Sequence, residues 1–240
     1  FEAPALDADL IWVLPSVDGT DGQFIKTDGS GNLSFATGGV AYQQVVTVAK
    51  DGGDYTTITA ALNAILDAAT DKRYAILVYP GDYAEVVTCK AWVDIIGIDR
   101  HTCRIKKTVS FTASEQALIY SANDVTLKNL SILLTHGGSG FYSDYIIRMD
   151  NTTDTFIIDN CKLEAIGSSV RNTFGLGKGA GAARYIQFYN SELRVVNTTG
   201  SRHCIAFGRC RGLLENSYFY IQAASTQRAF LIRCDNTALP

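Results

Sequence analysis

Four stretches of the chain share one alternating pattern of apolar and polar positions, and each is interrupted at the same place by an asparagine. They are Val125-Thr126-Leu127-Lys128-Asn129-Leu130-Ser131-Ile132, Phe156-Ile157-Ile158-Asp159-Asn160-Cys161-Lys162-Leu163, Ile186-Gln187-Phe188-Tyr189-Asn190-Ser191-Glu192-Leu193 and Gly212-Leu213-Leu214-Glu215-Asn216-Ser217-Tyr218-Phe219. The asparagines follow one another at 31, 30 and 26 residues. Before each Asn the positions expected to be buried, mostly apolar, fall two and four residues back, with Gly212 at the outer place of the last copy; after it they fall one, three and five residues on, with Ser191 and Ser217 at the first place of the last two copies. A flat strand keeps one parity, because successive side chains point to opposite faces. The inversion therefore predicts a corner at Asn129, Asn160, Asn190 and Asn216, where one strand ends and another begins in a different sheet. Asn suits such a corner: it tolerates left-handed backbone, and its amide can bond to the Asn of the next coil, giving a ladder. Strand-rich repeats of this period with no interleaved helix predict a parallel β-solenoid.

Equal offsets from the corner become cross-strand neighbours in such a stack, so Lys162 falls beside Glu192 and Glu164 beside Arg194. A second strand recurs at Tyr145-Ile146-Ile147-Arg148-Met149 and Ala229-Phe230-Leu231-Ile232-Arg233. The second copy stops where another Asn corner is due, which predicts an unfinished solenoid at the C-terminus.

Ahead of the repeats the period changes. Apolar residues at 58, 61, 62, 65, 66 and 69 predict a helix over about 57–69, followed by a strand, Tyr74–Tyr79, broken at Pro80-Gly81. The first forty residues are different again, with Asp18-Gly19, Asp21-Gly22, Asp28-Gly29 and Gly31-Asn32 punctuating short apolar pieces. They read either as a flexible linker or as tight hairpins, through Gln23–Thr27 and Asn32–Phe35, that need neighbouring chains to bury their apolar side. The resulting division is a module over 1–40 and a solenoid over 41–240.

Two segments resemble known families. Leu14–Phe35 resembles a short module of phage tail-fibre and tailspike-like proteins, which implies a homotrimer joined to other tail proteins through the N-terminus. Asp51-Gly52-Gly53-Asp54-Tyr55, Ile58 and Pro80-Gly81-Asp82-Tyr83-Ala84-Glu85 resemble the opening of pectin methylesterases and the wider pectate-lyase-like proteins. That likeness implies an all-β fold: a right-handed single-stranded parallel β-helix with an N-terminal capping α-helix, here behind a short fibrous N-terminal module. It does not extend to chemistry. The esterase family's catalytic Asp and Gln motifs are absent, and Tyr145–Met149 and Glu164–Ser168 stand where two of them belong.

Composition narrows the partners. Of 240 residues 47% are hydrophobic and 19% charged, the net charge is −3 and the pI about 5.6. There is no basic field for nucleic acid, no apolar run of membrane-spanning length and no signal-peptide pattern. The chain opens on Phe1 rather than Met, as a fragment or a processed product would. The six cysteines, Cys89, Cys103, Cys161, Cys204, Cys210 and Cys234, lack zinc spacing and read as reduced core residues. His101, His136 and His203 lack metal-ligand spacing, so no metal and no cofactor are expected. His136-Gly137-Gly138-Ser139-Gly140 and the run Gly175–Gly181 match neither a hydrolase nor a phosphate loop and read as turns.

Acids on exposed faces (Asp144, Asp150, Asp154, Glu164 and Glu192) could pair for glycan cleavage; the narrower set is Asp150, Glu164 and Glu192, and solvated faces are the competing reading. Tyr189, Tyr218 and Tyr220, placed outward near Arg194, could stack on sugar rings or meet a neighbouring subunit. The expected function is that of a phage tail-fibre or tailspike structural and receptor-binding protein. It would adhere to a host surface glycan at the virion tail, outside the cell. The alternative is a polysaccharide-degrading β-helical hydrolase or lyase, either a tailspike depolymerase or a pectinesterase-like enzyme.

Overall fold

The computed structural model describes residues 12–20, 23–37, 42–109, 116–136, 144–149, 155–167, 172–177, 184–197, 203–208, 210–222 and 228–233. By internal contacts the chain divides into two units, Phe1–Ala41 and Tyr42–Pro240.

The first unit holds an antiparallel hairpin of Gln23–Thr27 and Leu33–Thr37. Its turn is an Asp–Asn device: Asp28 accepts from the Ser30 N–H at 2.8 Å and from the Asn32 amide at 2.6 Å, while Gly29 and Gly31 supply the positive φ angles of 81° and 91°. Val13 pairs in parallel with Asn32. This unit leaves large apolar side chains outside, with Trp12 50%, Val13 56%, Leu14 70%, Val17 72% and Ile25 53% exposed.

The second unit is a parallel β-solenoid with one short helix. Sheet 1 stacks seven strands in chain order: Gln44–Val48, Tyr74–Val78, Val93–Gly97, Val125–Lys128, Thr155–Asp159, Arg184–Tyr189 and Cys210–Glu215. Sheet 2 stacks Gly81–Tyr83, Cys103–Val109, Ser131–His136, Lys162–Gly167, Glu192–Asn197 and Tyr218–Gln222. Sheet 3 stacks Val87–Thr88, Gln116–Tyr120, Asp144–Arg148, Asn172–Gly177, His203–Gly208 and Arg228–Arg233. Inside run columns of fully buried residues, such as Ile105, Ile132, Leu163 and Leu193, which are register partners in turn.

From the fourth sheet-1 strand onward the corner into sheet 2 is two residues long and turns at Asn129, Asn160, Asn190 or Asn216, whose φ angles are 54°, 49°, 48° and 47°. Asn160 Nδ2 donates to Asn129 Oδ1 at 2.8 Å and Asn216 Nδ2 to Asn190 Oδ1 at 2.8 Å. The middle step differs, because Asn190 Nδ2 donates to Asp159 Oδ1 at 3.1 Å. A second staircase follows just inside. Ser191 Oγ accepts from the Cys161 N–H at 2.8 Å and Ser217 Oγ accepts from the Ser191 N–H at 3.2 Å, each hydroxyl also donating to a corner carbonyl. These contacts satisfy backbone groups that a sharp bend would otherwise leave unpaired. One coil earlier the corner has Gly97, where an added Cβ would lie 2.1 Å from the Asn129 carbonyl oxygen.

The helix, Ile58–Ala64, is shorter than the apolar period suggests. Thr57 caps it by accepting from the Ala60 N–H, and Ile65 already has extended backbone. Beyond Ala64 other contacts claim the chain: the Lys90 side chain donates to the Ile65 carbonyl, Tyr74 donates to Asp67 at 2.7 Å, and the backbones of Ala69 and Lys72 bridge. Leu66, placed in the helical stripe by its spacing, is 87% exposed. Tertiary hydrogen bonds here override helical propensity.

Candidate functional site

The parity inversion at the Asn corner decides which residues of sheet 2 face outward. Two outer columns result. One aligns Asp82, Arg104, Ser131, Lys162, Glu192 and Tyr218, interrupted at Ser131, which is buried with its hydroxyl on the Arg100 carbonyl; the other aligns Lys106, Leu133, Glu164, Arg194 and Tyr220. At their upper end lies an open depression of about 220 Å³, walled by Lys162, Glu164, Glu192, Arg194, Tyr218 and Tyr220 over Leu163 and Leu193.

Arg194 organises this depression. Its Nη1 donates to Glu164 Oε2 at 3.0 Å, and its guanidinium lies 5.5 Å from the centre of the Tyr220 ring. Tyr220 in turn donates its hydroxyl to Gln222 Oε1 at 2.8 Å. A guanidinium held between a carboxylate and an aromatic face is fixed in orientation. Tyr218, in register with Glu192, is 65% exposed and offers an open ring. Lys162 and Glu192 are register partners, yet among the described residues no ion pair joins them. Further down the face Arg104 pairs with Asp82.

Tyr189 is not part of this depression. It ends a strand of sheet 1, between Asp159 and Glu215 in register, on the other side of the Asn190 corner. There Asp159 accepts from Lys128 at 2.7 Å and from Asn190. Burial pushes the Asp159 carboxyl up, but those two donors outweigh it and hold it below the ordinary 3.8. Of the three candidate acids, Asp150 lies outside the described residues, as do Asp154 and the side chain of Asp144. Glu164 and Glu192 both line the depression.

The segments that resemble pectin methylesterases have structural work in this chain. Gly52, with φ 72°, and Gly53 turn the chain so tightly that a Cβ on Gly53 would meet the Ala49 nitrogen at 2.6 Å. Asp54 accepts from the Thr47 N–H and hydroxyl at 2.8 and 2.7 Å. Tyr83, 1% exposed, donates to the Tyr79 carbonyl at 2.8 Å, and the Lys50 ammonium lies 4.2 Å from its ring centre. Glu85 accepts from the Ile58 and Thr59 N–H groups at 2.9 and 2.8 Å, fastening the first coil to the start of the helix. Where the family's motif would place polar groups, Tyr145, Ile146, Ile147 and Met149 are buried.

One polar cluster has a cue that the pattern analysis passed over, an acid inside the apolar run Val93-Asp94-Ile95-Ile96. Asp94, 2% exposed, accepts from Arg73 at 3.0 Å, from the Tyr42 hydroxyl at 2.8 Å and from the Thr126 N–H at 2.7 Å. Burial, then the Asp94 carboxylate, pushes the Tyr42 phenol well above its ordinary 10.0. The cluster ties the entry of the solenoid to its third and fourth sheet-1 strands. Cys89 and Cys161 are buried free thiols pushed up to about 12 by burial, a setting for packing rather than reactivity. Among the described residues no group of three or more His, Cys, Asp or Glu could hold a metal, and no helix is long and apolar enough to cross a membrane.

No protein-family model matches the chain, and no curated protein does. Similar solved structures are pectin methylesterases with a parallel β-helix fold. That of Erwinia chrysanthemi is 12% identical over 73% of this chain and 82% of its own, with a TM-score of 0.38. The carrot enzyme is 13% identical over 83% and 91%, with a TM-score of 0.39, and that of Aspergillus niger 15% identical over 84% and 93%, with a TM-score of 0.38.

Proposed function

We propose that this chain is a structural and receptor-binding component of a phage tail fibre or tailspike, working as a homotrimer on the outside of the virion. Its solenoid serves as a stiff body that presents sheet 2 to a host surface glycan, and its first unit joins it to other tail proteins. The observation that carries this reading is the hairpin unit. It has well-formed turns but leaves Trp12 and Val13, and then Leu14, Val17 and Ile25 of the segment that resembles the tail-fibre module, outside. Apolar side chains so placed are covered when copies of the unit associate. In the same reading the solenoid winds right-handed, the hand that parallel crossovers adopt, and the helix caps its first coil. Support for the cap comes from Ile58, Ala61 and Leu62, which join the solenoid's core, and from the grip of Glu85 on the helix start.

Adhesion fits the depression better than cleavage. Its rings and its donors and acceptors lie on an open face, and neither Glu164 nor Glu192 sits in the apolar enclosure that a general acid uses. Native mass measurement tests the assembly: three times 26.0 kDa is expected, and a monomer at micromolar concentration would refute the trimer. Incubation with bacterial surface polysaccharide tests the role. Binding without release of oligosaccharide is expected, whereas turnover that disappears in Asp150→Asn, Glu164→Gln or Glu192→Gln would replace adhesion by depolymerisation.

A further inference from the structure

The charges around the depression are matched one for one, and that balance says which sugars it can hold. Arg194 and Lys162 face Glu164 and Glu192. Arg194 is engaged on one side by Glu164 at 3.0 Å and on the other by the Tyr220 ring, so part of its donor set is already committed when a carboxylate arrives. Lys162 stands in register beside Glu192, and Arg104 lower on the face is taken by Asp82. The other lysine of these columns, Lys106, lies two coils below Glu164 with Leu133 between them.

Resting on the adhesive reading above, we propose that the depression takes an uncharged sugar residue and discriminates against uronate- or sialate-bearing glycans. An anionic sugar would give up its hydration at a site whose two cations, Lys162 and Arg194, are balanced by two carboxylates, so the net charge offers it no attraction in return. A neutral sugar meets complementary chemistry. Its hydroxyls donate to the Glu164 and Glu192 carboxylates and accept from Lys162 and Arg194. Its C–H face packs on the Tyr218 ring, which is 65% exposed and in register with Glu192. The volume of about 220 Å³ is below that of pockets for drug-sized ligands. It suits a single ring, and the open face lets the glycan continue beyond it.

The test is an array of purified bacterial surface polysaccharides, neutral and acidic, probed with the full chain, with Tyr218→Ala and with Glu192→Gln, and repeated at low and high salt. Neutral spots should bind with little salt dependence, and Tyr218→Ala should lose roughly tenfold in affinity, about one stacked ring. Preferential binding of acidic spots that weakens with salt and still needs Tyr218 overturns the neutral assignment and leaves adhesion standing. Binding to no spot overturns both. If Tyr218→Ala alters the native mass and not the binding, the face is a contact between copies and the inference fails.

Discussion

The opening of the solenoid and its later coils are closed by different means. From Tyr42 to Gly97 each stabilising contact occurs once: Glu85 on the helix start, Tyr83 under Lys50, and Asp94 gathering Arg73, Tyr42 and Thr126. From Asn129 onward similar contacts recur, with asparagine amides outside, bonded to one another at two of the three steps and to Asp159 at the third, and small polar side chains just inside. A first coil lacks a neighbour below and must find specific partners, whereas an internal coil can pair with its own repeat. Damage to the opening should therefore be concentrated at single residues. Damage to the ladder should be shared among coils, as expected where stability is a sum of neighbouring interfaces.

Four substitutions or conditions can break or sharpen that contrast. Asp94→Ala leaves the Arg73 guanidinium, the Tyr42 hydroxyl and the Thr126 N–H without their acceptor. It should cost about 3 kcal/mol in urea unfolding; a loss below about 1 kcal/mol would show the cluster to be a bystander. Gly97→Ala drives a methyl against the Asn129 carbonyl and should cost about 2 kcal/mol. A melting temperature equal to the parent's would mean that the corner is free to move.

In the ladder, Asn190→Ala should cost roughly 1–2 kcal/mol through its left-handed backbone. Asn190→Gly should recover much of that, since glycine accepts this geometry. Equal losses in the two variants would assign the effect to the amide bonds instead. The smallest effect concerns pH. Because Asp159 is held below its ordinary 3.8 when folded, its contribution is complete above that value and drains away as pH falls through the lowered one. Asp159→Asn should flatten this part of the acid-unfolding curve, and an unchanged slope would contradict the role given to Lys128 and Asn190.

The same contrast governs what could be read from the sequence. A parity inversion that recurs four times is visible without coordinates, so the inner columns through Leu163 and Leu193 and the outward placement of Glu164, Arg194, Tyr218 and Tyr220 follow from spacing alone. Contacts that occur once leave no period. The C-terminal end of the helix is set by Lys90, Tyr74 and Asp67, contacts that local propensity does not contain. Tyr189 precedes its corner residue, and one step before the inversion belongs to a different face from one step after; nearness to Arg194 in sequence hides that. The register of Lys162 with Glu192 was legible, but two long side chains aligned on an open face need not close an ion pair, since the gain barely exceeds their lost freedom.

The two-residue bend at the asparagines is the one connection whose length never varies. Beyond Val125 the other joins range from a single residue, between Gly208 and Cys210, to seven, between His136 and Asp144, and before the first asparagine the turn from sheet 1 to sheet 2, between Gly97 and Cys103, takes five. Growth and loss of sequence are thereby channelled to the other edges of the solenoid, while the seam keeps the coils from Asn129 onward in phase. A deletion of residues 161–190 would carry Asn160 directly into Ser191 with inside and outside preserved, so rod length could change by whole coils without any other position being redesigned.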